Sequence, residues 1–260
     1  MRKSIIDFLK ENIENFSTQE YKIKINELEN NSFELYYHTS WHSDWSEKLQ
    51  MVYPIFDYLN NPFVAPCLKK LVITSADEGV NGTQNWDIDY FIQHKNLFPN
   101  LIEIAFPINK KTSHNRTIIT YQSSYDENKS IGLLLQNCPA LQKLTVPSAP
   151  SSNFATTPSP NLKELIVYTG YAHQDFIKNI SKSKCFPNME YLCFGDYNET
   201  YMDNYQDACT PYAHYVALLK NKHLTKLKKI RLKNTVLSSP QKKELKAIAT
   251  ANGIELTITN

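Results

Sequence analysis

The sequence has 260 residues, of which 42% are hydrophobic and 21% charged, and its formal net charge is +2 at pH 7. A chain of this size buries a large core without disulfides or metal ions, and its small charge argues against nucleic-acid binding by the whole surface. Only 6 glycines are present, and no Gly-rich phosphate-loop motif occurs. The 5 cysteines lack CxxC spacing, as is typical of reduced, buried thiols. The sequence therefore predicts no cofactor.

The N-terminal stretch 1–16 predicts an amphipathic helix rather than a signal peptide, because Asp7, Lys10 and Glu11 interrupt its apolar run. No apolar run elsewhere approaches the ~18 residues that a membrane-spanning helix needs. The sequence therefore predicts a cytoplasmic protein without a membrane partner.

The aromatic stretch 36–45 contains His38 and His42 at a spacing of four, with Asp44 nearby. On a helix these side chains would suit zinc. The neighbouring tyrosines and tryptophans favour strand and loop instead, and the HExxH motif is absent. We interpret the stretch as a polar–aromatic cap with no metal site.

From residue 67 onward, apolar residues recur at L-x-x-L-x-L spacing. The last two positions of each triplet point to one face of a short strand, and the first turns into the same core from the approaching loop. This spacing is the signature of leucine-rich repeats. Further strands are predicted at 33–37 and 254–258. The triplets are Leu68/Leu71/Ile73, Leu101/Ile104/Phe106, Leu141/Leu144/Val146, Leu162/Leu165/Val167, Met189/Leu192/Phe194 and Leu227/Ile230/Leu232.

Helical spacing of apolar residues recurs between the strands. Ser239 is the predicted N-cap before Pro240, and Gly253 suits the exit of the last helix. Only the connection 147–161 lacks a helical pattern, and it is predicted to be extended. The predicted helical segments are 46–59, 88–98, 129–138, 173–181, 212–221 and 239–253.

The alternation of strands and helices predicts an α/β fold: a right-handed leucine-rich-repeat solenoid, or horseshoe, with a parallel concave sheet and convex helices. Residues 1–60 would form an N-terminal capping region, and residues 61–260 would form six to seven irregular repeats. The alternative is a doubly wound sheet, which is covered on both faces. Charged residues beside the core positions favour one open face. They are Lys70, Glu103, Lys143, Glu164 and Lys229.

The repeats resemble the ribonuclease-inhibitor-like leucine-rich-repeat family, and within it an uncharacterised subgroup of bacterial cytoplasmic proteins. The closer resemblance is carried by residues 121–146, 186–206 and 215–235, and by the strand–helix ending. The asparagine that usually follows the strand in this family occurs only at Asn109, so the other turns must satisfy their backbone groups differently. The resemblance implies binding through the concave face and its rim loops, and it implies no shared chemistry.

Long insertions at 75–90, 108–129 and 195–212 leave the C-terminal ends of their strands and are predicted to meet at one rim. Loops of this length are usually functional or disordered. Aromatic side chains in or beside them are candidate anchors, since Tyr and Trp are enriched at interfaces; a solvated loop is the alternative for 195–212. The candidate rim residues are Trp86, Tyr121, Tyr197, Tyr201 and Tyr205.

A second set of candidate partner-binding residues lies on the predicted open face. Three basic residues alternate along the sixth repeat strand, and they suit an acidic protein or a phosphate backbone. The alternative is that they only make the terminal repeat polar. The open-face candidates are Glu164, Ile166, Tyr168, Tyr191, Lys229, Arg231 and Lys233.

Catalysis has no supporting motif, because nothing in the spacing ties Cys193 to His173 or His214. We expect Cys193 to be an exposed structural cysteine and the protein not to be an enzyme. The sequence predicts a monomeric, non-catalytic protein-recognition scaffold, of an antitoxin-like (immunity) or regulatory kind. The alternative is a nucleic-acid-binding module that uses the basic C-terminal repeat.

Overall fold

A computed structural model describes residues 7, 9–11, 21–39, 53–75, 83–84, 88–93, 98–107, 117–118, 129–169, 172–197 and 203–259. Within them the chain is α/β, as predicted. The strands are β1 (Tyr21–Glu27), β2 (Phe33–Thr39), β3 (Leu68–Ser75), β4 (Thr83–Gln84), β5 (Glu103–Ala105), β6 (Thr117–Ile118), β7 (Lys143–Val146), β8 (Glu164–Tyr168), β9 (Tyr191–Gly195), β10 (Lys229–Lys233) and β11 (Glu255–Thr259).

Nine of these strands form one sheet in the order β1-β2-β3-β5-β7-β8-β9-β10-β11, while β4 and β6 pair separately. The order follows the chain, so each new strand is added at the same edge. β1 and β2 are antiparallel, and every other neighbouring pair of this sheet is parallel. Strand β1 was not predicted, because its sequence does not carry the triplet spacing.

Helical segments lie between the strands, and each predicted segment contains helix where the structure describes it. Residues 53–59 are helical, and short 3₁₀ turns occur at Ala65–Cys67 and Phe154–Thr156. The α-helices are α1 (Ile88–Gln93), α2 (Ser130–Asn137), α3 (Phe176–Ile180), α4 (Tyr205–Ala208), α5 (Tyr212–Leu219) and α6 (Ser239–Ala251).

Two local predictions need correction. The N-cap of α6 is Ser238, one residue before the predicted Ser239, because its hydroxyl accepts from the Gln241 amide while the Gln241 side chain caps the Ser238 amide. The connection 147–161 is not simply extended, since its 3₁₀ turn inserts the fully buried Phe154 into the core. The predicted helix exit is confirmed, because Gly253 has a φ of 68°.

The core consists of stacked rows of the triplet side chains. Parallel pairing places Leu144 beside Leu165, and Leu165 beside Leu192, so the same triplet position lies side by side on successive strands. All three are at most 1% exposed. Full burial of each such side chain contributes about 1.5–3 kcal/mol relative to exposure. Buried residues of the helices, such as Leu134 and Leu218, belong to the same core cluster.

Asparagine side chains join one connecting segment to the next. Where the triplet is preceded by Pro-Asn, the Asn amide donates to the proline carbonyl of the preceding connection. The distances are 2.8 Å for Asn100 to Pro66, 2.9 Å for Asn161 to Pro139 and 2.9 Å for Asn188 to Pro160. These bonds satisfy backbone carbonyls in the turns that precede β3, β7 and β8.

A second asparagine series joins the C-terminal ends of neighbouring helices, where backbone carbonyls have no partner within the helix. The side-chain amides of these residues donate to a carbonyl near the end of the preceding helix. The pairs are Asn137 to Ile92, Asn221 to Ile180 and Asn252 to Leu219, at 3.1, 3.1 and 3.3 Å.

The Pro-Asn series predicts opposite effects at two equivalent positions. Asn161→Ala should lower the free energy of unfolding by about 0.5–1.5 kcal/mol, the typical contribution of one hydrogen bond. Ala140 occupies the same place after Pro139, so Ala140→Asn should donate to the Pro99 carbonyl and raise the stability. Urea denaturation measures both changes. A loss of stability in both variants would contradict this role of the asparagines.

Candidate functional site

One face of the main sheet is open in the described part of the chain. The residues that alternate with the core positions are half-exposed or exposed along β8 and β10. The structure therefore brings together all seven predicted open-face residues on β8, β9 and β10, which are adjacent strands.

A row of alternating charges crosses this face. The parallel register aligns Lys70 with Glu103, Glu103 with Lys143, and Lys143 with Glu164. Ion pairs form within the row, at 2.9 Å for Lys70–Glu103, 3.0 Å for Lys143–Glu164 and 3.0 Å for Lys229–Glu255. Exposed pairs of this kind contribute about 0–1 kcal/mol each. Their main effect is to neutralise most of the row, including Lys229 of the predicted basic stripe.

Lys233 is engaged by an aromatic side chain instead of a carboxylate. Its ammonium donates to the Tyr168 hydroxyl at 2.7 Å and lies 4.9 Å from the centre of the same ring. The two residues are on β8 and β10, and Gly195 of β9 lies between them in the register. A Cβ atom at Gly195 would come within 2.4 Å of the Tyr168 ring. The missing side chain therefore makes room for Tyr168 to reach across β9.

Arg231 is exposed at the centre of β10. Within the described residues it has no ion-pair or hydrogen-bond partner. It lines a shallow depression of about 430 Å³ together with Glu164, Tyr191, Lys229 and Thr257. Burial raises the pKa of the Tyr191 hydroxyl to about 12, although the charge of Arg231 acts in the opposite direction. At neutral pH, Tyr191 is therefore uncharged, and it lines the depression together with the Arg231 guanidinium.

Cys193 differs from its prediction, because it is 2% exposed even though it lies on the open face. Burial raises the pKa of its thiol, and Lys233, Tyr191 and Arg231 oppose that shift only in part. His173 and His214 do not interact with it. Burial lowers the pKa of His214, whose titratable neighbours are Asp175, Lys178, His173 and Lys182. Neither of these two histidines therefore serves as a base for this thiol in the described part of the chain.

The rim loop 195–212 is more deeply anchored than its sequence indicates. The carboxyl group of Asp196 is fully buried and accepts from the Tyr197 amide at 2.9 Å, the Thr210 amide at 2.8 Å and the Tyr215 hydroxyl at 3.0 Å. These bonds draw both ends of the loop to the core. Tyr197 is consequently 3% exposed, and its prediction as a rim contact is wrong.

Of the other predicted rim residues, the structure describes only one. Tyr205 lies on α4 and is half-buried. Trp86, Tyr121 and Tyr201 lie outside the described residues. The predicted meeting of the three insertions at one rim therefore stays a prediction.

The aromatic stretch 36–45 begins in strand β2, as predicted. His38 Nδ1 lies 2.8 Å from the Thr74 hydroxyl, while His42 and Asp44 lie outside the described residues. Across the described ranges, no group of three or more His, Cys, Asp or Glu side chains could hold a metal ion. None of the helices in the same ranges combines the length and apolar character that a membrane crossing requires.

Comparison with known proteins does not add to this geometry. No protein-family model matches the chain, and no curated protein sequence matches it.

The role of Asp196 can be tested by removing the acceptor from its donors. Asp196→Ala should lower the free energy of unfolding by about 3 kcal/mol, since buried donors left without a partner cost about 1–3 kcal/mol each. Asp203→Ala removes an exposed carboxyl group of the same loop and should change stability by less than about 0.5 kcal/mol. Equal effects of the two substitutions in urea denaturation would show that Asp196 does not anchor the loop.

Proposed function

We propose that this protein is a non-catalytic recognition scaffold that binds another protein through the open face of its sheet. In this proposal the sheet and helices form the right-handed leucine-rich-repeat horseshoe that the triplets predict. The chain-ordered parallel sheet with one buried and one open face supports that architecture. The bacterial, cytoplasmic setting implied by the family resemblance belongs to the same proposal.

The observation that carries the proposal is the composition of the open face at β8 to β10. Ile166 and Tyr168 are half-exposed there beside Tyr191, and Arg231 is exposed without a partner among the described residues. Aromatic residues and arginine are enriched at protein interfaces. Tyrosine and arginine are also frequent among the residues that contribute most binding energy. An apolar and aromatic surface beside an available guanidinium suits a folded or extended polypeptide.

The neutralised charge row weakens the nucleic-acid alternative. A single-stranded nucleic acid is held by a positively charged groove that follows its backbone. On this face the carboxylates Glu103, Glu164 and Glu255 lie among the lysines of the row, so a phosphate chain crossing the strands would meet a negative charge on β5, β8 and β11. The basic stripe that the sequence suggested is therefore too short to guide such a chain.

Site-specific photo-crosslinking in cells that express the protein tests the proposal. A photoreactive phenylalanine analogue at position 166 should give a discrete adduct with another protein. The matched control is position 133 on α2, where the native leucine is 44% exposed outside the open face. Adducts at position 133 but not at 166, or adducts with nucleic acid alone, would contradict the proposal.

A further inference from the structure

Two neighbouring cations on the open face have no carboxylate partner in the described part of the chain. Lys229 pairs with Glu255, whereas among the described residues Arg231 has no ion-pair or hydrogen-bond partner and Lys233 contacts the Tyr168 hydroxyl and ring. The nearby carboxylate Glu164 is already paired with Lys143. Within the described ranges, no carboxylate therefore balances these two positive charges.

We propose that Arg231 and Lys233 bind two carboxylates of an extended acidic segment in a partner protein. This inference rests on the proposed function and specifies the chemistry of the partner. The bound segment would carry Asp or Glu at alternate residues, because of the spacing of the two cations. Arg231 and Lys233 are two residues apart on one face of β10, and alternate side chains of a strand are roughly 7 Å apart. An extended segment that runs along β10 presents alternate carboxylates at the same spacing.

The two cations suit this ligand in different ways. The guanidinium of Arg231 is planar and forms two parallel hydrogen bonds with a carboxylate, which gives directional as well as electrostatic selectivity. Lys233 is already held in position by its hydrogen bond to Tyr168 and by contact with that ring. Binding therefore costs less side-chain entropy than it would for a free lysine.

The surroundings favour a peptide over a phosphate backbone. Tyr191 and Thr257 line the depression beside Arg231. In the register of the sheet, Ile166 lies beside Cys193, which lies beside Arg231. These groups provide apolar and hydrogen-bonding contacts for side chains between the carboxylates. Glu164 and Glu255 lie at its two sides and limit the length of negatively charged ligand that fits without repulsion.

Fluorescence anisotropy with the purified protein tests the inference. The probe is a labelled eight-residue peptide of alternating Glu and Thr, and the reference probes are its Gln–Thr counterpart and an eight-nucleotide oligothymidylate. We expect the Glu–Thr peptide to bind most tightly and to weaken as salt is added. Arg231→Gln should raise its Kd about tenfold or more, because the two parallel hydrogen bonds of the guanidinium to a carboxylate are lost.

The matched control is Lys243→Gln, which removes the same charge from an exposed position on α6. It should leave the Kd of the Glu–Thr peptide within about twofold of the unaltered protein, with thermal melts confirming that both variants fold. Three results would overturn the inference: equal weakening by the two substitutions, tighter binding of oligothymidylate, or no peptide binding up to about 1 mM. The crosslink at position 166 does not depend on charge. If the crosslink at position 166 is observed together with any of these three results, the proposal of an acidic ligand is wrong, but the proposed recognition function still stands.

Discussion

The in-register pairing of parallel strands is the constraint on which the rest of this structure depends. In the main sheet from β3 to β11, the paired residues of each strand lie in register beside those of the next strand. A shift of one strand by one residue would move its core side chains to the open face. The register is therefore held by the burial of rows such as Leu144, Leu165 and Leu192. The same register fixes the spacing of the side chains on the open face.

The same constraint explains both the regular and the irregular features of the open face. Because equivalent positions are aligned, charges of opposite sign at successive repeats become ion pairs, which leaves little net charge along most of the sheet. At β10 the pattern changes, since Arg231 and Lys233 have no carboxylate beside them on β9 or β11. Selectivity would then come from one local break in a neutralised surface. A uniformly basic face would attract many anionic partners.

Much of the fold follows from the sequence because the triplet spacing states directly which residues enter the core. The charge row could also have been foreseen, since Lys70, Glu103, Lys143 and Glu164 alternate in sign at one triplet position. The burial of Asp196 and Tyr197 could not have been foreseen, because an acidic, tyrosine-rich loop has the composition of a solvated loop. Its anchoring depends on Tyr215, which is distant in sequence and reaches the carboxyl group only in the folded chain.

The register itself can be measured with a single substitution. Ile166 lies beside the native Cys193 in the pairing of β8 with β9, both on the open face. Neighbouring strands are about 4.8 Å apart, within the Cα separation that a disulfide accepts. Mild oxidation of Ile166→Cys should therefore give a 166–193 disulfide in peptide mass spectrometry, whereas Glu164→Cys, two residues out of register, should not. A 164–193 disulfide in the Glu164→Cys variant, together with none at 166, would contradict the alignment on which the open-face site depends.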